Sequence, residues 1–398
     1  MFKYKIFYII SAIIVVFASY LFVTDFSFVK RLVGYNVPPL ETPSLQISPE
    51  IKSEFGFLSI PSGFSVSAFS KDLKGPRVIE FDPNGVMLVS ETGAGRVVAL
   101  EDKDKDGRAD NKKVILSGLN KPHGMVFKCN FTSCILFVAE TDKITAYDYN
   151  KNVLEASNPR KIADLPSGGG HFTRTIVLLS DAELLVSVGS SCNVCNESDS
   201  RRAKILKVNI STGQTEEFAS GLRNSVFMAK SSDGQIWATE MGRDNLGDNI
   251  PPDEVNIIEP SNNYGWPICY GNKIHDSQFD KSQYIRDPCA DTKMPVFEIP
   301  AHSAPLGLTF ISDKKWPSDW QGNLLVAYHG SWNRSVPTGY KVVRLEIGKN
   351  SIRAEDFITG WLGKDKISGR PVDLKFGPDG ALYISDDSAG IIYRVVPR

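Results

Sequence analysis

One phrase recurs six times along this chain, and it constrains the fold more than any other feature. Each copy consists of glycine or proline, a polar residue and an apolar strand, and after most copies a turn leads into a second strand. The spacing is about fifty residues, and a repeat of roughly 40–50 residues with several strands is typical of propeller blades. The copies are KGPRVIEFD (74–82), NKPHGMVFK (120–128), GGHFTRTIVLL (169–179), GLRNSVFMAK (221–230), HSAPLGLTF (302–310) and SGRPVDLKFG (368–377).

The rest of the chain shows the same sequence pattern from about residue 55 onward. Short apolar strands alternate with turns of glycine, asparagine and aspartate, and no long stretch keeps helical periodicity. The sequence therefore predicts an all-β, six-bladed β-propeller over residues 55–398. The longer gap between the fourth and fifth copies has room for a seventh blade. However, residues 243–300 are rich in proline, asparagine and aspartate, so we interpret them as an elaborated loop.

The N-terminus predicts a single transmembrane helix or a signal sequence ahead of the propeller. Lys3 and Lys5 precede an uncharged apolar run over residues 6–23, which is long enough to span a bilayer as a helix. Signal peptides usually have a shorter apolar region and a small-residue cleavage site, so an uncleaved anchor is favoured. We assign residues 1–30 to this anchor or signal segment and residues 31–54 to a proline-rich linker. Either interpretation places the propeller outside the cytoplasm, periplasmic or extracellular, and secreted if the segment is cleaved.

The cysteines agree with export. An even number of cysteines in close pairs is typical of disulfides formed in an oxidising compartment. The CNVCN motif lacks the histidine of a haem attachment site, and no further zinc ligand is nearby in the sequence. The formal net charge is −1, which gives no indication of the basic surface that a nucleic-acid-binding protein needs. The expected disulfide pairs are Cys129 with Cys134, Cys192 with Cys195, and Cys269 with Cys289.

Polar side chains stand at the start of every repeat. In a propeller the innermost strand lines the central channel, so the residue before it lies at the channel mouth. Such residues often do no more than cap turns, yet here every copy carries arginine or histidine. Because arginine forks match carboxylates, the ring predicts a pocket for a small anionic ligand. The ring consists of Arg77, His123, His171 with Arg174, Arg223 with Asn224, His302 and Arg370.

Several motifs together resemble the glucose/sorbosone dehydrogenase family. They are GGGHFTRTIVLL, GLRNSVF, NNYGWP, AHSAPLGLTF, HGSWNRSVPTGYKVVRL and GRPVDLKFGPDGALYISDDSAGIIYRV, and the resemblance covers about residues 55–397. Members of that family are soluble-type, six-bladed propellers that depend on pyrroloquinoline quinone (PQQ). The resemblance therefore implies PQQ and calcium as cofactors, and an enzyme that oxidises a sugar, an aldose-like aldehyde or a related alcohol.

The resemblance also implies roles for single residues. His171 matches the catalytic histidine, which acts as general base on the substrate hydroxyl while hydride passes to PQQ. Arg223 and Asn224 match an arginine–asparagine pair that polarises the quinone and holds the cofactor. Histidine suits general-base chemistry because its pKa lies near neutrality.

Four further positions follow from the same resemblance. Arg370 matches an arginine that binds a cofactor carboxylate. Arg334 lies where the family's soluble glucose enzyme has a cofactor-binding lysine. Gly242 and Arg243, in EMGRDNLGD, match the backbone carbonyls that hold the bridging calcium. Apart from the resemblance, Trp332 in SWNR is a candidate either to stack on the cofactor or a sugar face, or to pack within a blade.

Two other functions fit the same architecture. A calcium-dependent lactonase-type hydrolase would need carboxylates and asparagines converging on a central calcium, whereas the channel mouth here is mostly basic. A non-catalytic binding propeller would have lost the cofactor, and the matched residues at the mouth count against this. The substrate and the electron acceptor are not specified by the sequence, although a membrane location would bring the domain near quinones or a cytochrome.

Overall fold

The computed structural model describes residues 54–349 and 351–398. The predicted anchor or signal segment (1–30) and the predicted linker up to residue 53 lie outside the described residues. Within the described part of the chain, no helix combines the length and the apolar character needed to cross a bilayer.

Strands make up nearly all of the regular secondary structure of the described residues, as the all-β prediction requires. Two 3₁₀ turns, Thr92–Ala94 and Ser318–Trp320, are the helical segments of the described ranges. In chain order the strands are β1 (Phe64–Ser70), β2 (Pro76–Phe81), β3 (Met87–Glu91), β4 (Arg96–Glu101), β5 (Asn111–Leu116), β6 (Met125–Cys129), β7 (Cys134–Ala139), β8 (Lys143–Asn150), β9 (Glu155–Asp164), β10 (Ile176–Ser180), β11 (Glu183–Val188), β12 (Lys204–Asn209), β13 (Thr215–Ser220), β14 (Met228–Lys230), β15 (Ile236–Glu240), β16 (Asp253–Ile258), β17 (Cys269–Tyr270), β18 (Ile274–His275), β19 (Phe297–Ile299), β20 (Pro305–Phe310), β21 (Leu324–Tyr328), β22 (Lys341–Ile347), β23 (Ile352–Ile358), β24 (Pro371–Phe376), β25 (Leu382–Asp386) and β26 (Ile391–Pro397).

These strands assemble into six four-stranded antiparallel sheets, which confirms the six-bladed propeller for the described residues. From inner to outer strand the blades are β2-β3-β4-β5, β6-β7-β8-β9, β10-β11-β12-β13, β14-β15-β16-β19, β20-β21-β22-β23 and β24-β25-β26-β1. The first strand of each blade contacts the first strand of both neighbouring blades, so these six strands close a ring around the channel. Each repeated phrase of the sequence is one of these inner strands together with the turn before it.

The long gap between the fourth and fifth repeats belongs to blade 4. After β16 the chain leaves the sheet, forms the small hairpin β17–β18, and returns as β19 to complete the blade. The Cys269–Cys289 disulfide closes part of this excursion. The interpretation of residues 243–300 as an elaborated loop is therefore confirmed, and no seventh blade occurs in the described ranges.

Blade 6 joins the two ends of the propeller. Its three inner strands come from the C-terminal part of the chain, and β1 supplies the outer one. Phe64 pairs in register with Pro397, and its ring stacks on Trp320 with centroids 5.3 Å apart. Burying one such aromatic side chain stabilises the fold by roughly 1.5–3 kcal/mol, so β1 is held by packing as well as by its ladder.

The second strands of the blades are buried on both faces because neighbouring blades pack against them. Four of these strands end in, or are directly followed by, a buried acid that accepts a hydrogen bond from the backbone N–H of a residue in the turn before the inner strand. This contact fixes the entry of the chain into the channel. The pairs are Glu91 with Lys74 (2.6 Å), Glu140 with Asn120 (2.6 Å), Glu240 with Asn224 (2.7 Å) and Asp386 with Arg370 (2.9 Å).

Candidate active site

His171 stands before β10, as predicted, and its two ring nitrogens have different environments. Nδ1 lies 3.0 Å from the carbonyl oxygen of Ser190 and 2.9 Å from Ser190 Oγ. A carbonyl can only accept a hydrogen bond, so Nδ1 carries the proton. Nε2 has no hydrogen-bond partner among the described residues and keeps its lone pair.

The imidazole of His171 is neutral. Burial, followed by the positive charge of Arg223, lowers the pKa of His171 to about 3. A neutral ring with an unpartnered Nε2 can take up a proton. The low pKa makes this a weak base unless a bound group brings negative charge close to it.

Two arginines hold the glycine-rich segment that carries His171. Arg174 is fully buried and donates to the carbonyl oxygens of Pro166 (2.6 Å), Thr173 (2.7 Å) and His171 (3.1 Å). Arg202 donates to the carbonyls of Ser167 and Gly168, both at 2.7 Å. Arg174 was predicted to face an anionic ligand at the mouth, but its guanidinium instead serves this loop. Arg202 was not predicted at all.

His171 and Asn224 approach each other across Gly189. A β-carbon placed on Gly189 would lie 2.6 Å from His171 Cβ and 2.8 Å from Asn224 Oδ1. The backbone between the two side chains must therefore lack a side chain of its own. The structure thus brings together the predicted base and the predicted asparagine of the cofactor site.

The guanidinium of Arg223 donates its hydrogen bonds to acceptors within the protein. Its Nε and Nη2 donate to the backbone and side-chain oxygens of Asn193 (2.8 and 2.9 Å), and Nη2 also pairs with Asp244 (2.9 Å). Nη1 donates to the carbonyls of Gly242 (2.9 Å) and Met241 (3.4 Å). These contacts use the five N–H groups of arginine. Arg223 therefore ties two loops together and leaves no N–H for a ligand.

The two carbonyls predicted to bind calcium differ in their contacts. The Gly242 oxygen accepts from Arg223 but has a second lone pair. The Arg243 oxygen accepts no hydrogen bond from any described residue, while its side chain turns away to pair with Asp276 at 2.9 Å. Both oxygens can thus accept a cation.

Buried acids surround this segment. In blade 1 the buried Glu91 is paired in register with Arg96, which neutralises it. In blade 4 the residue opposite Glu240 is another acid, Glu254. Burial raises the pKa of Glu240 to about 8 and that of Glu254 to about 7. Because a raised pKa favours the protonated form, these two acids carry little or only partial negative charge near neutral pH.

Arg370 and the loop after β21 form another side of the mouth. Arg370 donates through Nε to the carbonyl of His329 (3.2 Å) and through Nη2 to that of Gly330, and its guanidinium lies 5.3 Å from the ring centre of Tyr340. Its Nη1 has no partner within residues 54–349 and 351–398. Arg370 is thus held in place by protein contacts, while its Nη1 group remains available to donate to a ligand.

The loop after β21 also contacts the partner of Arg223. Asn333 Nδ2 donates to Asp244 Oδ1 (3.1 Å), whose other oxygen pairs with Arg223. Arg334 donates through Nη2 to Asn249 (2.9 Å), and its Nε is buried without a partner in the described structure. Trp332 is 73% exposed and makes no ring contact with a described residue. It does not pack within a blade.

The remaining residues of the predicted ring are buried or make contacts within the protein. Asp387 joins Arg77 (2.7 Å) to His329 (2.9 Å). His302 Nε2 lies 2.7 Å from the carbonyl of Gly247. His123 is fully buried, and burial holds its pKa well below the usual range. These groups shape the mouth, and only part of the ring presents free donors.

All three predicted disulfides are formed: Cys129–Cys134, Cys192–Cys195 and Cys269–Cys289. The second lies directly beside the site, since Asn193, within its loop, holds Arg223. The sequence did not identify Ser190 or Asn193 as site residues. Both stand in the segment between β11 and β12, and no periodicity or motif indicates that this segment folds over the mouth.

Comparison with known proteins gives a consistent result. A model of the TrAA12-like family matches residues 58–398. An uncharacterized protein of Borreliella burgdorferi is 34% identical over 363 residues, covering 85% of this chain and 90% of that protein. A pyrroloquinoline quinone-dependent pyranose dehydrogenase of Coprinopsis cinerea is 28% identical over 405 residues, covering 85% of this chain. The alignment covers 54% of that enzyme, so the chain spans about half its length.

A solved structure supports the fold. The calcium structure of a Trichoderma reesei protein of Carbohydrate-Active Enzymes Family AA12 superposes with a TM-score of 0.74 and 23% identity. The superposition covers 87% of this chain and 99% of that one. At this identity the likeness shows the fold alone.

Proposed function

The chain belongs to the TrAA12-like family, and from this membership we propose that it is an oxidoreductase that uses PQQ to oxidise a sugar. The observation that carries the proposal is the arrangement of His171, whose Nδ1 is fixed by Ser190 and whose Nε2 is free. The PQQ dependence of the related Coprinopsis enzyme supports the same assignment.

The donors at the mouth suit a tricarboxylate such as PQQ. Arg370 Nη1 has no described partner, and Arg334 Nε is buried without one. An unpartnered buried donor costs about 1–3 kcal/mol, which an anionic ligand would offset. Asn224, which meets His171 across Gly189, would hold the quinone beside the base. PQQ, when bound, would supply the oxidant that accepts hydride from the substrate carbon.

His171 would remove the proton. Its Nε2 would accept the hydroxyl proton of the substrate while the carbon–hydrogen bond breaks, which leaves a carbonyl product. The cofactor's carboxylates would oppose the charge of Arg223 and raise the pKa of His171 toward the working pH. Arg223, whose donors are all used by protein acceptors, would contribute its charge and the placement of Asn224.

Calcium would bind through the carbonyls of Gly242 and Arg243. The Arg243 oxygen has no described donor, and the buried Glu240 and Glu254 nearby would gain negative charge if a bound cation lowered their raised pKa values. Oxygen ligands and flexible geometry suit calcium. A cation here would orient the quinone and act as a Lewis acid.

The substrate is proposed to be a sugar in its ring form. The pyranose dehydrogenase relative supports this class over a simple alcohol or an open-chain aldehyde such as sorbosone. Trp332, exposed beside Asn333 and Arg334, offers a flat apolar face to a sugar ring. The three disulfides support an exported domain, and a quinone or a cytochrome stays our proposal for the electron acceptor.

The test is reconstitution of the purified full chain with PQQ and calcium. PQQ binding is followed by absorbance and calorimetry, and dye reduction is measured over a panel of sugars, aldehydes and alcohols. We expect saturable PQQ binding and dye reduction with at least one sugar. Absence of PQQ binding would contradict the proposal and favour a non-catalytic propeller. Hydrolysis of lactones without PQQ would favour the hydrolase.

A further inference from the structure

The Cys192–Cys195 disulfide closes a small loop whose neighbouring residues contact His171 on one side and Arg223 on the other. Ser190 precedes this loop and contacts His171. Asn193, inside the loop, accepts from Arg223 through its backbone oxygen (2.8 Å) and its side-chain oxygen (2.9 Å). One short covalent ring therefore stands between the predicted base and the buried arginine beside it.

The hydrogen bonds through Ser190 have a defined direction. Ser190 Oγ donates to the carbonyl of Cys192 at 2.6 Å, so its hydroxyl proton is used there. Its lone pairs are then directed at His171 Nδ1, 2.9 Å away. The hydroxyl can only accept from the imidazole, as can the Ser190 carbonyl at 3.0 Å. Both contacts keep the proton on Nδ1 and the lone pair on Nε2.

Further hydrogen bonds hold the Cys192–Cys195 loop in place. Glu197 accepts from the backbone N–H of Ser191 (2.6 Å) and from its hydroxyl (2.7 Å). The carbonyl of Ser191 accepts from the N–H of Gly170 (2.9 Å), one residue before His171. Asn193 Nδ2 donates to the carbonyl of Asp244 (3.0 Å). The loop is thus tied to the glycine-rich segment on one side and to the predicted calcium segment on the other.

No carboxylate hydrogen-bonds to His171 in the described structure. The charged groups that act on the pKa of its ring are Arg223, Arg174 and Arg202, all cationic. A neutral partner for Nδ1 fixes the tautomer without raising the basicity of the ring. Orientation of the base consequently depends on the serine and on whatever holds the serine.

We propose that the Cys192–Cys195 loop, acting through Ser190, is a positioning element that holds the tautomer and orientation of His171 and the place of Arg223. This inference rests on the proposed function only for its effect on turnover. The positioning itself is a property of the cofactor-free protein. Ser190 and the disulfide are positioning residues, since neither would touch the substrate.

The first test uses ¹⁵N NMR of the imidazole of His171 in the cofactor-free full chain. Wild type is expected to show the tautomer protonated at Nδ1 as a single species. Ser190→Ala, which keeps the carbonyl contact, is expected to broaden the signals or add a second species. Ser190→Thr, which restores the hydroxyl, is expected to return the wild-type spectrum. Identical spectra for Ser190→Ala and wild type would overturn the proposal.

The second test compares two disulfides. The variant Cys192→Ser with Cys195→Ser is matched by Cys129→Ser with Cys134→Ser, which removes the bridge between β6 and β7. The site variant is expected to lose about tenfold or more in kcat, since small misplacements of catalytic groups are costly. It is also expected to show the second His171 species and a changed pH profile. The control is expected to do neither.

The outcomes separate this inference from the proposed function. If wild type fails to bind PQQ but the NMR spectra change as expected, the positioning stands and the enzymatic assignment fails. If wild type turns over sugar but both disulfide variants behave alike, the positioning role of the loop is wrong. If the variant Cys192→Ser with Cys195→Ser does not fold, the spectra of Ser190→Ala and Ser190→Thr still test the positioning of His171.

Discussion

His171 and Asn224 meet across Gly189, where a β-carbon would lie 2.6 Å from one side chain and 2.8 Å from the other. Gly189→Ala should therefore push the two side chains apart. We expect a loss of about 1–3 kcal/mol in the free energy of unfolding from overpacking, and a fall of about tenfold or more in kcat. Urea denaturation and steady-state dye reduction measure these effects.

Gly170→Ala is the matched control for this change. A β-carbon on Gly170 would come no closer than 3.8 Å to Ser191 O, which is ordinary contact. Its effect on stability should stay within about 0.5 kcal/mol. Equal effects of the two alanines would show that the approach across Gly189 is not what limits the site.

His171→Asn should retain PQQ binding and lose turnover. Asparagine keeps a polar side chain at the position but cannot accept the hydroxyl proton, and general-base catalysis typically contributes about 10²–10⁴-fold. His275→Gln, at a histidine of the β17–β18 hairpin that is paired with Asp280, serves as the control. Full activity in His171→Asn would place the base elsewhere.

Arg370→Lys should weaken PQQ binding more than turnover at saturation. Lysine keeps the charge but loses the planar fork that matches a carboxylate, so we expect the Kd for PQQ to rise about tenfold. Calorimetry of the full chain with PQQ and calcium measures the change. Arg286→Lys, at an exposed arginine paired with Asp291, should leave the Kd unaltered.

Trp332→Ala should raise KM for the sugar and leave kcat nearly unchanged, because a stacking platform binds ground state and transition state alike. Because the indole is 73% exposed, the urea midpoint should hardly move. Phe131→Ala, at a fully exposed hairpin tip, is the control. An unaltered KM for every sugar that is turned over would remove Trp332 from the substrate site.

Acid should destabilise the fold through His171. Burial and Arg223 lower its pKa in the folded state to about 3, whereas the unfolded value is about 6.5. The unfolded chain therefore binds the proton first, so stability is fully present above about pH 6.5 and is lost as the pH falls toward 3. His171→Asn removes this pH-dependent loss in the free energy of unfolding, which amounts to about 2 kcal/mol at pH 5. Parallel stability curves for variant and wild type between pH 7 and pH 5 would contradict the low pKa.

The propeller could be predicted from the sequence because each blade repeats one local pattern. The turn and inner strand are contiguous, so their periodicity is visible without knowledge of what they touch. The acids that close the turns also recur, in LVSE, FVAE, WATE and YISD. Their role in fixing these turns could not be predicted from the sequence, because the backbone N–H that each acid binds lies 16 to 20 residues away.

The site was predicted less completely for the same physical reason. Residue types at the mouth are visible in the sequence, but the direction of an arginine fork is set by tertiary contacts. Arg174 and Arg202 turn to the carbonyls of the glycine-rich loop, and Arg223 to those of Asn193 and Gly242. Ser190, which fixes His171, is a serine in an irregular loop with nothing local to distinguish it.

The pairing of β1 with β26 has a consequence for how the protein is made. β1 is the first strand of the propeller to leave the ribosome, and its partner is the last. Until synthesis ends, β1 presents an unpaired edge, which is the kind of surface that recruits other chains. We therefore expect the ring to close at this single seam only after the C-terminal strands are available. A C-terminally shortened chain that lacks β26 would leave this edge of β1 without its partner strand.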